Sequence, residues 1–348
     1  MFTMKKLLSF VLVMAMLLAL AGCGDPDGGK TETTEPKAAP ETTEAQKETE
    51  EETEAPQTTA AVEETNPQPV NLEFPKLAAG AAVPEGCIYK TADGKTLNPG
   101  DAMPAEVQEK DEFITPQFIY RGYMCHVTVQ GIEMKLGWMA WLNEENVNRA
   151  DVTEISETMY EEINGLPLLS TKGTFRECGS LKKAPAIPNT VLDMSGTFVN
   201  CHSLQFVPNF PENLDNFGAA FAGCSALKKV PDMPAKVVFM DKAFLNCTSL
   251  EKTPDFSHCT EFQQFNNVFE GCTALKEVCE IPNCITVMND TFKGCSSLSG
   301  TITIHANISD SDTCKDIFAG CSNLTLTGNC PAEGLESMAK TGTNIKVA

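Results

Sequence analysis

Seven copies of the pattern Phe-x-x-Cys-x-x-Leu occupy the second half of this 348-residue sequence. The first copy is Phe175, Cys178 and Leu181, and the last ends at Leu324. Successive Phe residues are separated by 23, 23, 23, 25, 23 and 26 positions. A nearly fixed period of this length is typical of solenoids, whose units bury their apolar side chains only by stacking on one another. The repeat therefore predicts a stack of seven coils over residues 171–331.

Further columns of the repeat predict how each coil is built. From the second copy onward the position four before the Phe is apolar, as are those three and six after most of the Leu residues, which suits inward-facing side chains. We expect a short strand after each Leu, paired with the same segment of the next coil. The Met-x-x-x-Phe spacing favours a helical turn opposite it, because i and i+4 share a helix face. The repeat Cys is interpreted as a small buried hydrophobe. The predicted fold class is a mainly β repeat solenoid.

The segments Ala243–Leu250 and Phe292–Leu298 resemble the BspA-like leucine-rich-repeat family of bacterial surface proteins. This resemblance implies a leucine-rich-repeat fold and an association with adhesion to host proteins and to other cells. The first repeats depart from the common family form, because they carry Pro-x-hydrophobic-Pro after the Leu, and the last two repeats lose these prolines. Strand length is therefore expected to vary along the stack.

The N-terminus predicts export. Lys5 and Lys6 precede the apolar run Leu7–Leu20, which is short for a membrane span and is typical of a signal peptide. The sequence Leu20-Ala21-Gly22-Cys23 resembles the lipobox of bacterial lipoproteins. That resemblance implies a signal peptide over residues 1–22, a diacylglycerol on Cys23, and an anchor on the extracellular face of the bacterial cell membrane. The alternative is an ordinary signal peptide with an incidental Cys.

Residues 23–73 are predicted to be a disordered tether. The segment is rich in Thr, Glu, Pro and Ala, and from Gly24 to Glu73 it carries 14 acidic and 3 basic residues. Such a composition buries too little apolar surface to offset the entropy of ordering. The whole chain has a formal net charge of −21, which argues against nucleic acid as a partner because phosphate binding requires a basic footprint.

Residues 74–170 are not repetitive and are expected to form a β-rich region that caps the stack. The Asp93-Gly94 pair predicts a hairpin turn, the aromatic run 118–141 predicts two or three strands, and residues 153–164 show a helical pattern. The alternative is a separate domain that binds a ligand, such as a glycan, through four aromatic residues. These are Tyr120, Tyr123, Trp138 and Trp141. Residues 332–348 are expected to cap the other end of the stack.

The sequence offers little catalytic or metal-binding chemistry. The fifteen cysteines include no Cys-x-x-Cys pair, and we expect no zinc site or other cofactor. Cys125 and His126 are neighbours in a predicted strand, so they point to opposite faces and do not form a nucleophile and its base. We therefore expect no enzyme. Cys259 and Cys284 share a column of adjacent coils and are the candidate disulfide, with two free thiols as the alternative.

The candidate binding face follows the repeat Leu, where lysines fill two adjacent columns beside a column of acidic residues. The lysines are Lys182, Lys183, Lys228, Lys229, Lys252 and Lys276. The expected function is an adhesin or protein-interaction module that binds a host or bacterial surface protein through this face. A passive envelope lipoprotein without a ligand is the alternative, in which the lysines only keep the sheet face soluble.

Overall fold

A computed structural model describes residues 70–72, 78, 80–129, 131–143, 147–155 and 159–348. The predicted signal peptide, Cys23 and nearly all of the predicted tether lie outside the described residues. Within the described part of the chain the elements follow this order: β1 Val70–Leu72, β2 Ile88–Lys90, β3 Thr96–Leu97, β4 Glu112–Ile114, β5 Phe118–Arg121, β6 His126–Val129, β7 Ile132–Lys135, β8 Trp138–Leu142, β9 Val152–Ile155, β10 Glu162–Ile163, β11 Leu166–Ser170, β12 Gly300–Thr303, β13 Leu324–Thr327, α1 Ala332–Ala339 and β14 Lys346–Val347.

The region before the repeats is built on a seven-stranded sheet with the order β10-β11-β8-β5-β4-β2-β3. Strands β2 and β3 form the predicted hairpin, and Gly94 adopts the left-handed φ of +89° that its turn requires. The aromatic run 118–141 contributes β5, β8 and the separate hairpin of β6 and β7. One face of the sheet buries Tyr89, Phe113, Tyr120 and Trp138 completely.

The helix predicted over residues 153–164 is wrong. Val152–Ile155 forms β9, which pairs in parallel with β1, and Glu162–Ile163 forms β10, which pairs with β11. Residues 156–158 between them lie outside the described part. Met159 and Ile163 are buried, as the helical pattern required. Long-range strand pairing satisfies the same buried positions, so tertiary contacts override the local periodicity.

The coils stack through backbone hydrogen bonds at the repeat Phe rather than through helical turns. From Phe175 to Phe292, each repeat Phe N–H donates to the carbonyl of the residue that precedes the next repeat Phe, at 2.8–3.0 Å in this stretch. Turns surround each Phe, and no α-helix is assigned between residues 171 and 331 in the described chain. The predicted helical turn is present only as single i to i−3 bonds, such as that from the Thr197 N–H to the Met194 carbonyl at 3.1 Å, and these bonds alternate with the inter-coil ladder. Residues in this ladder donate their N–H groups to the neighbouring coil. An N–H that is bonded there does not make the i to i−4 bond of an α-helix.

The strand after each Leu is reduced to single bridges in most coils, such as Lys183 with Phe206 and Lys252 with Glu277. The proline columns explain this reduction, because proline has no N–H to donate to a ladder. Where the prolines are lost, β12 and β13 pair in parallel over four residues, and Thr301 stands opposite Thr325. Strand length thus differs along the stack.

The backbone reverses twice around each Phe through left-handed residues. The residue directly before the repeat Cys has a positive φ in all seven coils. Asparagine or glycine fills this position except in the first coil, where Glu177 has a φ of 66°. Both residue types tolerate the left-handed region that a Cβ atom normally disfavours. At Gly223 the φ is +79°, and a Cβ would lie 2.4 Å from Asn200 Oδ1 of the previous coil.

The repeat Phe rings form a continuous stack through the core. Their centroids are 5.1–5.9 Å apart from Phe175 to Phe318, and neighbouring rings are within about 21° of parallel. Beside the rings, each repeat Cys from Cys201 to Cys321 donates its thiol to the carbonyl of the preceding coil's Phe, at 3.0–3.2 Å. The thiol is therefore a buried hydrogen-bond donor as well as a small apolar group.

Each end of the stack receives a side chain where a neighbouring coil is missing. The guanidinium of Arg149 donates to the carbonyls of Thr174 and Arg176, each at 3.0 Å. The equivalent carbonyls of the second coil, Thr197 and Val199, accept backbone N–H groups from the first. At the other end, the Phe318 N–H donates to Thr341 Oγ1 at 3.0 Å. Helix α1 buries Leu335 and Met338, and β14 adds to β13. No helix in the described residues is long and apolar enough to cross a bilayer.

Candidate functional site

The segments that follow the repeat Leu residues place the predicted lysines on one face of the stack. All six are exposed, while the repeat Leu residues before them are buried. Backbone bonds from Gln205 to Lys182 and from Glu251 to Lys228 set neighbouring coils in the 23-residue register. The lysines therefore occupy two adjacent columns, as predicted, with coils about 4.8 Å apart. In each of these segments two exposed positions follow the buried Leu, so the lysines lie on the outside of the stack.

In the fourth and fifth coils, the lysine of each coil forms an ion pair with a glutamate of the other coil. Lys252 Nζ lies 3.6 Å from Glu277, and Lys276 Nζ lies 3.6 Å from Glu251. Each pair joins the same column of two adjacent coils, and the four side chains are more than half exposed. Exposed pairs of this kind stabilise a fold little, but they remove net positive charge from the surface. Two of the six predicted lysines are thus part of a mixed-charge ladder.

The first three coils have a different composition. Their two columns hold Lys182, Lys183, Lys228 and Lys229 and no carboxylate. Phe206 lies in the second column between Lys183 and Lys229, and 47% of its surface is exposed. The Lys183 ammonium sits 6.0 Å from the centre of the Phe206 ring, within cation–π range. We name these four lysines and Phe206 the basic-aromatic patch.

Shallow depressions continue along the face from the third coil onward. One, of about 600 Å³, is lined by Lys229, Asp232, Lys252, Asp255 and Glu280 among others. Another, of about 700 Å³, contains amide and imidazole groups, including His305. The acidic column predicted from the sequence lines the first depression. The structure therefore brings Lys229 and Lys252 together with carboxylates, and it leaves Lys182 and Lys183 at the far end of the face.

Comparison with known families decides the nature of the stack. Residues 195–325 match the BspA type leucine rich repeat region in six copies. The repeat part is therefore a leucine-rich-repeat fold, as the sequence resemblance implied. The match begins after the first of the seven copies of the sequence pattern and ends at the seventh.

Two solved structures of leucine-rich-repeat proteins resemble the chain. The T. pallidum protein shares 20% identity over 47% of this chain and 84% of its own, with a TM-score of 0.36. The Bacteroides ovatus protein shares 17% identity over 68% of this chain and 76% of its own, with a TM-score of 0.28. No curated protein matches the chain in sequence.

The ladder thiols are held in their protonated form by burial. Loss of solvation raises the pKa of Cys224 and of Cys272 to about 12, and hydrogen bonding lowers each slightly. Only the thiolate attacks disulfides or binds metals, so these groups are chemically inert near neutral pH. The ladder is thus a packing and hydrogen-bonding device.

Cys259 and Cys284 lie on adjacent coils with their thiols reduced in this structure. Cys284 Sγ is 3.5 Å from the Cys259 carbonyl oxygen, and Cys259 Sγ faces the Pro234 carbonyl at 3.4 Å. Burial raises the pKa of both thiols, that of Cys259 to about 12. The disulfide between them stays a prediction.

The four aromatic residues proposed for a glycan site separate into two groups. Tyr120 and Trp138 are fully buried, and the Trp138 indole N–H donates to the Ile163 carbonyl at 3.0 Å. Tyr123 is 42% exposed and its ring centre lies 6.3 Å from that of Trp141. The Arg121 guanidinium covers the Trp141 ring at 4.6 Å. Only the second pair is available on the surface.

No catalytic constellation is present among the described residues. Cys125 is buried, and burial raises its pKa to about 12, while His126 is exposed and contacts Glu133. Across the described chain, no three His, Cys, Asp or Glu side chains are grouped to hold a metal ion. The BspA type leucine rich repeats that match residues 195–325 suggest a protein-interaction or surface module.

Sequence reasoning missed three features of the site. Phe206 was not included, although in the first five coils it is the exception in a column of charged residues, and that exception was its signal. The role of Glu251 and Glu277 was missed because each pairs with a lysine 25 residues away, and only the register shows the contact. Arg149 carried no sequence signal, since its partners are backbone carbonyls.

Proposed function

We propose that this chain is a lipid-anchored bacterial surface protein that binds another surface protein through the exposed face after the repeat Leu residues. The observation that carries the proposal is the basic-aromatic patch, which exposes four lysines and a phenylalanine on an otherwise acidic protein. Leucine-rich repeats generally mediate protein–protein interaction, and solenoids bind along such faces. An acidic partner is favoured, because potentials across an interface are complementary.

The anchor is proposed from the sequence around Cys23. Two acyl chains on this residue would give stable attachment, whereas one chain gives marginal binding. Full-length protein should therefore be found with the membrane, and the Cys23→Ser variant should be lost from it. Radiolabelled fatty acid should label the first and not the second. Equal membrane retention and labelling of both variants would contradict the anchor.

Adhesion is tested with cells that display the full-length protein. The Lys228→Gln/Lys229→Gln variant should bind host or bacterial surface extracts more weakly than the parent. The Lys252→Gln/Lys276→Gln variant is a matched control, because it removes two lysines that already have carboxylate partners. If the parent captures no surface protein, the alternative of a passive envelope protein is favoured.

A second candidate is glycan binding through residues 74–165, and the exposed Tyr123 beside the half-buried Trp141 favours it. Aromatic rings next to the Arg121–Glu112 ion pair, at 3.2 Å, offer both stacking and hydrogen bonding. Binding of a glycan array by the parent, and its loss in Trp141→Ala with Trp138 intact, would support this site. Unchanged glycan binding in that variant would exclude it.

A further inference from the structure

The basic-aromatic patch has defined limits. Within the described residues, one limit is strand β9, which carries Glu154 and lies next to the first coil. The Lys182 N–H of that coil faces the carbonyl of Thr153 in β9 at 3.4 Å. Glu251 begins the mixed-charge ladder beyond the third coil. Between these limits the two columns contain four lysines, Gln205 and Phe206. The patch therefore groups four lysines over three coils around one exposed apolar side chain.

Phe206 has no evident structural purpose in this position. The other members of its column in coils one to five are Lys183, Lys229, Lys252 and Glu277, so the fold accepts a charged side chain there. An exposed aromatic ring contributes less to stability than a buried one, and it creates a liability for aggregation. Rings of this kind, flanked by cations, are typical centres of binding sites.

The spacing of the lysines selects the shape of the partner. The Lys182–Lys183 pair and the Lys228–Lys229 pair are two coils apart, which corresponds to about 9.6 Å at a strand spacing of about 4.8 Å. A polyproline II segment repeats its face every three residues, or about 9.3 Å. An extended β-strand repeats its face every two residues, or about 6.6 Å, which does not match.

Building on the proposed interaction function, we propose that the basic-aromatic patch binds an acidic polypeptide in the polyproline II conformation. Carboxylates three residues apart contact Lys182 and Lys228, and a proline between them packs on the Phe206 ring. Proline-rich segments dock on aromatic side chains at low entropic cost because their conformation is preformed. The partner segment runs along the stack, across the coils.

The probe is a fluorescent peptide of repeated Glu-Pro-Pro units, measured by anisotropy against detergent-solubilised full-length protein. The control peptide has the same composition with all glutamates at one end. The repeated peptide should bind at least about tenfold more tightly than the control, and its affinity should fall as salt is raised, since the charges are exposed. Equal affinity for both peptides would overturn the spacing argument.

Three variants locate the site. Phe206→Ser should weaken binding about tenfold, and Lys228→Gln/Lys229→Gln should weaken it by at least as much. The matched variant Lys252→Gln/Lys276→Gln should change it less than about twofold, because those lysines are neutralised. Thermal unfolding of each variant checks the fold. No effect of Phe206→Ser, or an equal loss in both double variants, would refute the proposal.

The outcome is separable from that of the proposed function. If the full-length protein captures a surface protein equally well with and without Lys228→Gln/Lys229→Gln, the interaction function stands and this assignment fails. If the repeated peptide binds as described but no surface protein is captured, the patch is correct and the adhesin proposal fails.

Discussion

The thiol of Cys224 donates a hydrogen bond to the carbonyl of Phe198 in the preceding coil, with 3.1 Å between Sγ and oxygen. The same carbonyl accepts the Cys201 N–H at 3.2 Å. One buried acceptor is thus shared by its own coil and by the next one. The relationship recurs along the ladder. The constant spacing within the pattern Phe-x-x-Cys-x-x-Leu therefore couples successive coils and also fills the core.

Removing this thiol should destabilise the stack. Cys224→Ala deletes a buried donor and leaves a small cavity, and we expect a loss of about 1–2 kcal/mol in the free energy of unfolding. Chemical denaturation monitored by circular dichroism measures it. Cys279→Ala is the control, since that thiol is only partly buried and lies 3.7 Å from its nearest acceptor. Equal losses in both variants would show that the ladder bond contributes nothing.

Oxidation should join Cys259 to Cys284 and spare the ladder. Treatment with oxidised glutathione is expected to produce this disulfide by thiol–disulfide exchange, with each pair of protein thiols oxidised as glutathione is reduced. The raised pKa of both thiols means that the rate increases as the pH is raised above neutral, because the thiolate fraction grows. Peptide mapping by mass spectrometry identifies the bridge. Cys259 and Cys284 remaining free while Cys224 or Cys272 reacts would contradict this prediction.

The buried Asp193 should make stability depend on pH. Loss of solvation raises the pKa of its carboxyl, although the Ser195 N–H donates to it at 2.8 Å. The folded state therefore holds this proton more tightly than the unfolded state, so stability falls as the pH rises through the unfolded and then the folded pKa. Asp193→Asn should remove this fall and be more stable than the parent at pH 7.

Asn216 in the next coil is the natural precedent for that change, because it pairs with Asp193 and accepts the Gly218 N–H through its amide oxygen at 3.1 Å. Thermal unfolding from pH 3 to pH 8 compares the variant with the parent and with the exposed Asp232→Asn. The unfolding curves of the parent and of Asp193→Asn, plotted against pH, should converge at acid pH. A constant difference across the range would show that ionisation of Asp193 is not the cause.

Arg149 should hold the first coil closed. Arg149→Ala removes charged donors from the carbonyls of Thr174 and Arg176, and we expect a loss of about 1–2 kcal/mol, concentrated in the first coil. Hydrogen exchange should accelerate at the amides of residues 173–178 more than at those of the fourth coil. Arg176→Ala is the control, since its ion pair with Glu177 is largely exposed. Uniform acceleration across all coils would argue against a local capping role.

Much of the repeat was predictable, and the reason is its period. The positions of Phe, Cys and Leu recur in every coil, so a buried column is visible in the sequence before any contact is known. The hairpin at Asp93-Gly94 was also predictable, because turn chemistry is local. The helix over residues 153–164 was not excluded locally, since Met159 and Ile163 are buried here as they would be in a helix.

The candidate site was predictable only in outline. Lysine columns were visible, but the partners of Lys252 and Lys276 come from the neighbouring coil, and their distances depend on the register between coils. The burial of the four aromatic residues was likewise not predictable, because alternation along a strand does not show which face of the sheet is covered. Tyr120 and Trp138 face the core, while Tyr123 and Trp141 meet Arg121 at the surface.

The sequence by itself determined that residues 171–331 form stacked leucine-rich coils with exposed lysines on one side, since periodic burial is a one-dimensional property. Tertiary structure alone decided that hydrogen bonds at the repeat Phe and Cys join the coils, and that Lys252 and Lys276 face carboxylates of adjacent coils. The physical reason is that hydrogen bonds and ion pairs between coils join residues 22–29 positions apart. Their energies depend on distances that no local pattern encodes.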